Sequence, residues 1–131
     1  MTTPGNGLVR VAMTANAIAA EAKLRGAIVA VVGPAERRVE LLTQIGKALR
    51  FPGYYGRNLD ALEECLTDLS WLPEGEVVLV WDGDEVLRRA DPAGYAAVVE
   101  VLTAATEEMS RGPRPLHVVL PTASGSSTGT T

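Results

Sequence analysis

Two uninterrupted apolar runs, Ala27-Ile28-Val29-Ala30-Val31-Val32 and Val77-Val78-Leu79-Val80-Trp81, restrict the folds open to this chain. Both are β-branched, both are too short for a buried helix, and both stop at turn residues, Gly33-Pro34 in one case and Asp82-Gly83-Asp84 in the other. A strand with one wet face alternates apolar and polar residues. These runs do not alternate, so they predict strands covered on both faces, the first of them central, as in a parallel sheet packed between helices. A third run, Pro115-Leu116-His117-Val118-Val119-Leu120-Pro121, reads as a strand whose prolines fix its ends and place it at an edge.

The segments between the runs have helical spacing. From Thr14, a candidate cap, to Arg25 the chain is rich in alanine and stops at Gly26. Between Ala35 and Arg50, Val39, Leu42, Ile45 and Leu49 form one apolar stripe. Asp82 and Asp84 turn the chain into a short helix over Glu85 to Ala90. Asp91-Pro92 then supplies a cap followed by proline in the first turn of a helix running to about Arg111. Strand, helix, helix, strand, short helix, helix, strand is the order of an α/β domain with a small three-stranded parallel sheet covered by helices. With 131 residues, 47% of them hydrophobic, the chain has enough material for one core. The predicted layout is a flexible N-terminal lead-in over residues 1–13, a single domain over 14–121 with an N-terminal helix at 14–25, and a disordered tail of small polar residues over 122–131. Leu8 to Val11 could extend, but nothing in the sequence fixes a partner for it.

A net charge of −4 lacks the basic footprint of a direct nucleic-acid binder and is compatible with a basic protein partner. One cysteine, Cys65, excludes an internal disulfide framework and reads as a half-buried helix residue. The single histidine, His117, reads as a packed or surface residue, with no metal or cofactor expected. No stretch has the ~20 apolar residues that a membrane span needs. With no convincing signal peptide, the cytoplasm is the default expectation.

The densest concentration of chemistry lies in Phe51 to Leu66. Pro52, Gly53 and Gly56 make a turn that carries Tyr54 and Tyr55, and Asn58 is placed to cap a helix from Leu59 to near Ser70. Leu59, Leu62, Leu66 and Leu69 share one face of that helix, whereas Asp60, Glu63, Glu64 and Thr67 share another. The carboxylates therefore face water, as on many solvated helices, or a partner. Tyrosines held in a turn beside clustered acids suit recognition of a basic protein. A second acidic place, Asp82-Gly83-Asp84 after an apolar strand, could hold Mg²⁺ or simply make the turn and cap the next helix.

The run Tyr54-Tyr55-Gly56-Arg57-Asn58-Leu59-Asp60-Ala61-Leu62, followed by Glu63-Glu64 and Cys65-Leu66-Thr67, resembles the barstar family of intracellular inhibitors of barnase-type ribonucleases. The resemblance covers roughly Ala27 to Pro121, with the N-terminal helix as an extension. It implies a non-enzymatic protein, monomeric when free, that plugs the active site of a small secreted guanine-specific ribonuclease in a one-to-one complex. Tyr54, Asn58, Asp60 and Glu64 are the residues it carries over, with Tyr55, Gly56, Glu63 and Thr67 on the same partner-binding surface. Glu64 would enter the cleft as a mimic of RNA phosphate. Here Glu64 stands where the best-known member has aspartate, and Glu63 stands where that member has a bulky aromatic. Glu100 and Glu107 are the nearest acids for a further contact from the helix after Pro92. Two other functions fit the residues: a barstar-like module for a different basic partner or toxin, and a hydrolase using Asp60 with Glu64 or a metal at Asp82 and Asp84.

Overall fold

The computed structural model describes residues 8–53 and 56–123. Its elements are β1 (Leu8–Val11), α1 (Ala15–Leu24), β2 (Ile28–Val32), α2 (Arg38–Ala48), α3 (Leu59–Leu66), β3 (Val77–Trp81), α4 (Asp84–Ala90), α5 (Pro92–Met109) and β4 (Leu116–Pro121). The four strands form one parallel sheet in the order β1-β4-β3-β2.

The α/β class with a parallel sheet flanked by helices is as the sequence predicts, but the sheet has four strands rather than three. The added strand is β1, which falls inside the segment expected to be a flexible lead-in over residues 1–13. Leu8 pairs with Val118 and Val11 with Pro121, and the Thr122 amide donates to the Val11 carbonyl at 2.8 Å. Two strand placements also differ from the expectation. With β1 on its outer side, β4 is an inner strand rather than an edge. Its prolines do no harm there, because Pro115 precedes the strand and Pro121 closes it, so no interior ladder donor is lost. The strand β2, expected to be central, lies at the edge, and Val31 on it is 47% exposed.

Alternation along β3 explains its continuous apolar sequence. Val77, Leu79 and Trp81 point into the main core with residues of α2, α3, α4 and α5, while Val78 and Val80 point the other way onto Ala15, Ile18 and Ala22 of α1. The α1 helix is thus the cover of the second face, and its alanines let it sit close to the valines. Thr14 caps it as expected, accepting from the Ala17 amide at 3.1 Å.

The α2 helix begins at Arg38 rather than Ala35, with Arg37 before it extended and making no side-chain cap bond. Its inward stripe is Leu41, Leu42, Ile45 and Leu49, all buried, whereas Val39, predicted to face the core, is 44% exposed. At its end the Phe51 amide donates to the Gly46 carbonyl at 2.8 Å and the Arg50 amide to the Lys47 carbonyl at 3.3 Å, a Schellman closure in which Arg50 takes the left-handed position at φ 58°. The Trp71 indole donates to the Leu49 carbonyl at 2.9 Å and meets the Phe51 ring edge-on at 5.8 Å. Between them these contacts fix where the chain leaves α2 on its way to α3.

At the other sheet end, Gly33 closes β2 against β3. The Asp82 amide donates to the Val32 carbonyl at 2.8 Å, and a Cβ on Gly33 would collide with the Asp82 carbonyl oxygen. Asp91 caps α5 by accepting from the Gly94 amide at 3.0 Å, with Pro92 in the first turn, as the sequence predicts. That helix ends at Met109, two residues short of the expected Arg111.

Candidate functional site

The acidic helix is built from its cap upward. Asn58, in an extended conformation, accepts from the Ala61 amide through its side-chain oxygen at 2.8 Å, which starts α3 at Leu59 as the sequence predicts. A Cβ on Gly56 would stand 3.0 Å from the Asn58 side-chain nitrogen, so the capping amide would have to shift by a few tenths of an ångström to admit one. Arg57 between them adopts a left-handed φ of 55°.

Leu62 and Leu66 are fully buried in the main core, and Leu59 packs against it half-buried. Leu69, assigned to the same helical stripe, lies beyond the helix. The helix stops at Leu66, Leu69 turns left-handed at φ 52°, and its side chain still reaches the core. The Thr67 hydroxyl donates to the Glu63 carbonyl at 2.8 Å and to the Glu64 carbonyl at 3.3 Å, closing the last turn.

On the opposite face Asp60, Glu63 and Glu64 are exposed, and together with Thr67 they line one shallow depression. None of the three carboxylates takes part in an ion pair or side-chain hydrogen bond among the described residues. Like charges on neighbouring turns repel, so leaving them together with no cation costs the free protein a few tenths of a kcal/mol per pair. Tyr54 and Tyr55 lie outside the described residues, as do residues 1–7 and 124–131 of the expected lead-in and tail. Glu100 and Glu107 are exposed on α5. Cys65 is buried rather than half-buried, at 4% exposure; burial raises its thiol pKa, and the charges of Glu64 and Asp68 raise it further.

The second acidic place has a different character. Asp84 is 1% exposed and its carboxylate is already engaged: Arg10 of β1 donates to both oxygens, at 3.1 and 2.8 Å, and the Tyr95 hydroxyl of α5 donates at 2.6 Å. Burial pushes the Asp84 pKa up, but the hydrogen bonds from Arg10 and Tyr95 and the Arg10 charge outweigh it and hold the carboxyl below its usual range. The same contact raises Arg10, and burial with the Asp84 bond raises Tyr95. Asp84 is therefore a latch joining β1 to α4 and α5, and the Mg²⁺ alternative loses one of its two carboxylates. No group of three His, Cys, Asp or Glu side chains able to hold a metal occurs among the described residues. His117 is exposed on β4, 3.6 Å from the Glu76 carboxylate, which Arg25 holds through two hydrogen bonds of 3.0 and 2.9 Å.

Sequence reasoning found the acidic face and missed the Arg10–Asp84–Tyr95 network, because two of its members come from segments read as lead-in and as core helix. The available signal was Asp84 itself, three residues past the apolar run that ends at Trp81 and at the start of the next helix. No described helix is long and apolar enough to cross a membrane.

A family model described as Barstar (barnase inhibitor) matches residues 28–121. The match runs from the first residue of β2 to the last of β4, so it includes α3 with its capping loop and omits β1 and α1. On a match that spans well over half of its residues, this chain belongs to the barstar family.

Proposed function

We propose that the protein is an inhibitor of a small secreted guanine-specific ribonuclease, acting within the cell that makes the enzyme. The observation that carries this reading is the exposed face of α3, where Asp60, Glu63 and Glu64 converge with no ion pair among the described residues, in a family described as barnase inhibitors. A cleft built for RNA phosphate is lined with fixed cations. Carboxylates presented on a capped helix dock there with charge-assisted hydrogen bonds and little ordering cost, because the helix is already formed. In this reading Glu64 is the phosphate mimic, Asp60 supports it one turn earlier, and Glu63 and Thr67 extend the contact. Asn58 and Gly56 hold the helix start, with Tyr54 and Tyr55 supplying aromatic contact area from the preceding loop. The free protein is a monomer and the complex is one to one, with no cofactor.

Calorimetric titration of the protein into such a ribonuclease, at low and higher salt, tests this. Expected are one-to-one binding that weakens with salt and a loss of at least about tenfold, ~1.4 kcal/mol, in each of Asp60→Ala and Glu64→Ala. Absence of binding to several guanine-specific ribonucleases would reject the partner assignment and turn attention to another basic protein for the same face.

A further inference from the structure

The opposite charge gathers where α2 ends and the same loop begins. Lys47 and Arg50 at the end of α2 and Arg57 before α3 line a single depression of about 450 Å³, open to solvent, with Thr43, Phe51 and Pro52 completing its wall. None of its described lining residues is acidic, and none of the three cations makes an ion pair among the described residues. In a chain of net charge −4 such a grouping stands out from its surroundings.

Complementing the negative end of a helix is the ordinary use of cations at a helix C-terminus. At α2 much of that end is already satisfied. The Gly46 carbonyl accepts from Phe51, the Lys47 carbonyl from Arg50, and the Leu49 carbonyl from the Trp71 indole. Two of the cations also occupy left-handed backbone positions, Arg50 at φ 58° and Arg57 at φ 55°, where glycine fits without strain and a long side chain does not.

We propose that this depression binds a nucleotide-sized phosphate ligand, with the phosphates on Lys47, Arg50 and Arg57 and a ring against the half-buried Phe51 and Pro52. Phosphate fits the charge better than a single carboxylate does, since three cations around one concavity balance two or more negative charges. Guanidinium forks also pair bidentately with phosphate oxygens. The depression, about 450 Å³ and open to solvent, has room for more than an isolated phosphate. This site shares no lining residue with the acidic depression, although Arg57 stands in the loop assigned to the partner, and it does not depend on the ribonuclease reading.

The test is calorimetric titration of the full chain with GDP, pyrophosphate, guanosine and a short oligoribonucleotide. GDP should bind at one site, pyrophosphate about tenfold more weakly, and guanosine without measurable heat. The Arg50→Gly/Arg57→Gly double variant should weaken GDP binding by about tenfold or more while melting no lower than the parent, since glycine suits both backbone positions. Silence with millimolar GDP, equal binding of guanosine and GDP, or an unaffected double variant would each overturn the proposal. Markedly tighter binding of the oligoribonucleotide would also overturn it, in favour of an RNA backbone.

Discussion

Replacing Arg10 with methionine should destabilise the protein in a way that reverses its response to acid. In the parent, Asp84 is 1% exposed and receives two hydrogen bonds from Arg10 and one from Tyr95. Hydrogen bonds to charged groups contribute about 1.5–3 kcal/mol each, and stranding a buried charge costs about 3–5 kcal/mol. The Arg10 side chain is 46% exposed, so solvent screens the pair, and Tyr95 still donates after the substitution. A loss of about 2–3 kcal/mol at neutral pH is therefore expected. The pH dependence is more diagnostic than the size. In the parent the Asp84 pKa is lowered, so its contribution is present above the unfolded value of ~3.9 and disappears as pH falls through the lower folded value. Without Arg10, burial dominates and the folded pKa rises above the unfolded one. The variant then regains stability as pH falls toward ~4 and loses it as pH rises through the raised folded pKa. Urea unfolding of parent and variant between neutral pH and pH ~4 measures the gap, which should narrow in acid. Faster hydrogen exchange at Leu8–Val11 should accompany it, because Arg10 ties β1 to the helices. A deficit below about 0.5 kcal/mol, or one that widens in acid, would refute the latch.

Asn58→Ala removes the side-chain acceptor that starts α3, so thermal unfolding should show a loss of about 1 kcal/mol. Asn58→Asp should retain most of that stability. Cys65, buried and with a raised thiol pKa, should react with a thiol reagent far more slowly in the native protein than in urea. Equal rates in the two states would contradict its burial. Leu66→Ala, at a fully buried position beneath the acidic face, should cost about 2–5 kcal/mol in chemical unfolding, and a value under 1 would contradict its place in the core.

Features encoded within a few residues were legible in the sequence. Asn58 and Asp91 cap helices because the acceptor and the amide it satisfies lie three residues apart, and Thr14 does the same. Division of α3 into leucines inward and carboxylates outward follows from the helical repeat alone. Strand order was not legible in the same way. Leu-Val-Arg-Val is too short to announce itself, and its partner Val118 lies at the far end of the domain. The apolar run of β2 falls at an edge because β2 pairs with β3 alone and β3 has β4 on its other side, an order that no residue of β2 announces. Phase was the other difficulty. In α2 the inward face is centred on Leu42, Ile45 and Leu49 and reaches Leu41 on one side, which leaves Val39, on the other side, wet. For the acidic face, chemistry and exposure could be read from spacing, whereas the separation of Asp84 from any such role depended on Arg10, more than seventy positions away.

The pairing of β1 with β4 also determines how the molecule bears load. These are the first and last described strands, they lie side by side, and they run in the same direction. A pull applied at the two ends of the domain draws Leu8 and Pro121 in opposite senses along neighbouring strands. The bonds of that ladder are then stretched together in shear instead of opening one after another. Tension on the chain consequently meets its resistance at the outermost strand pair, before it reaches α3 or the core.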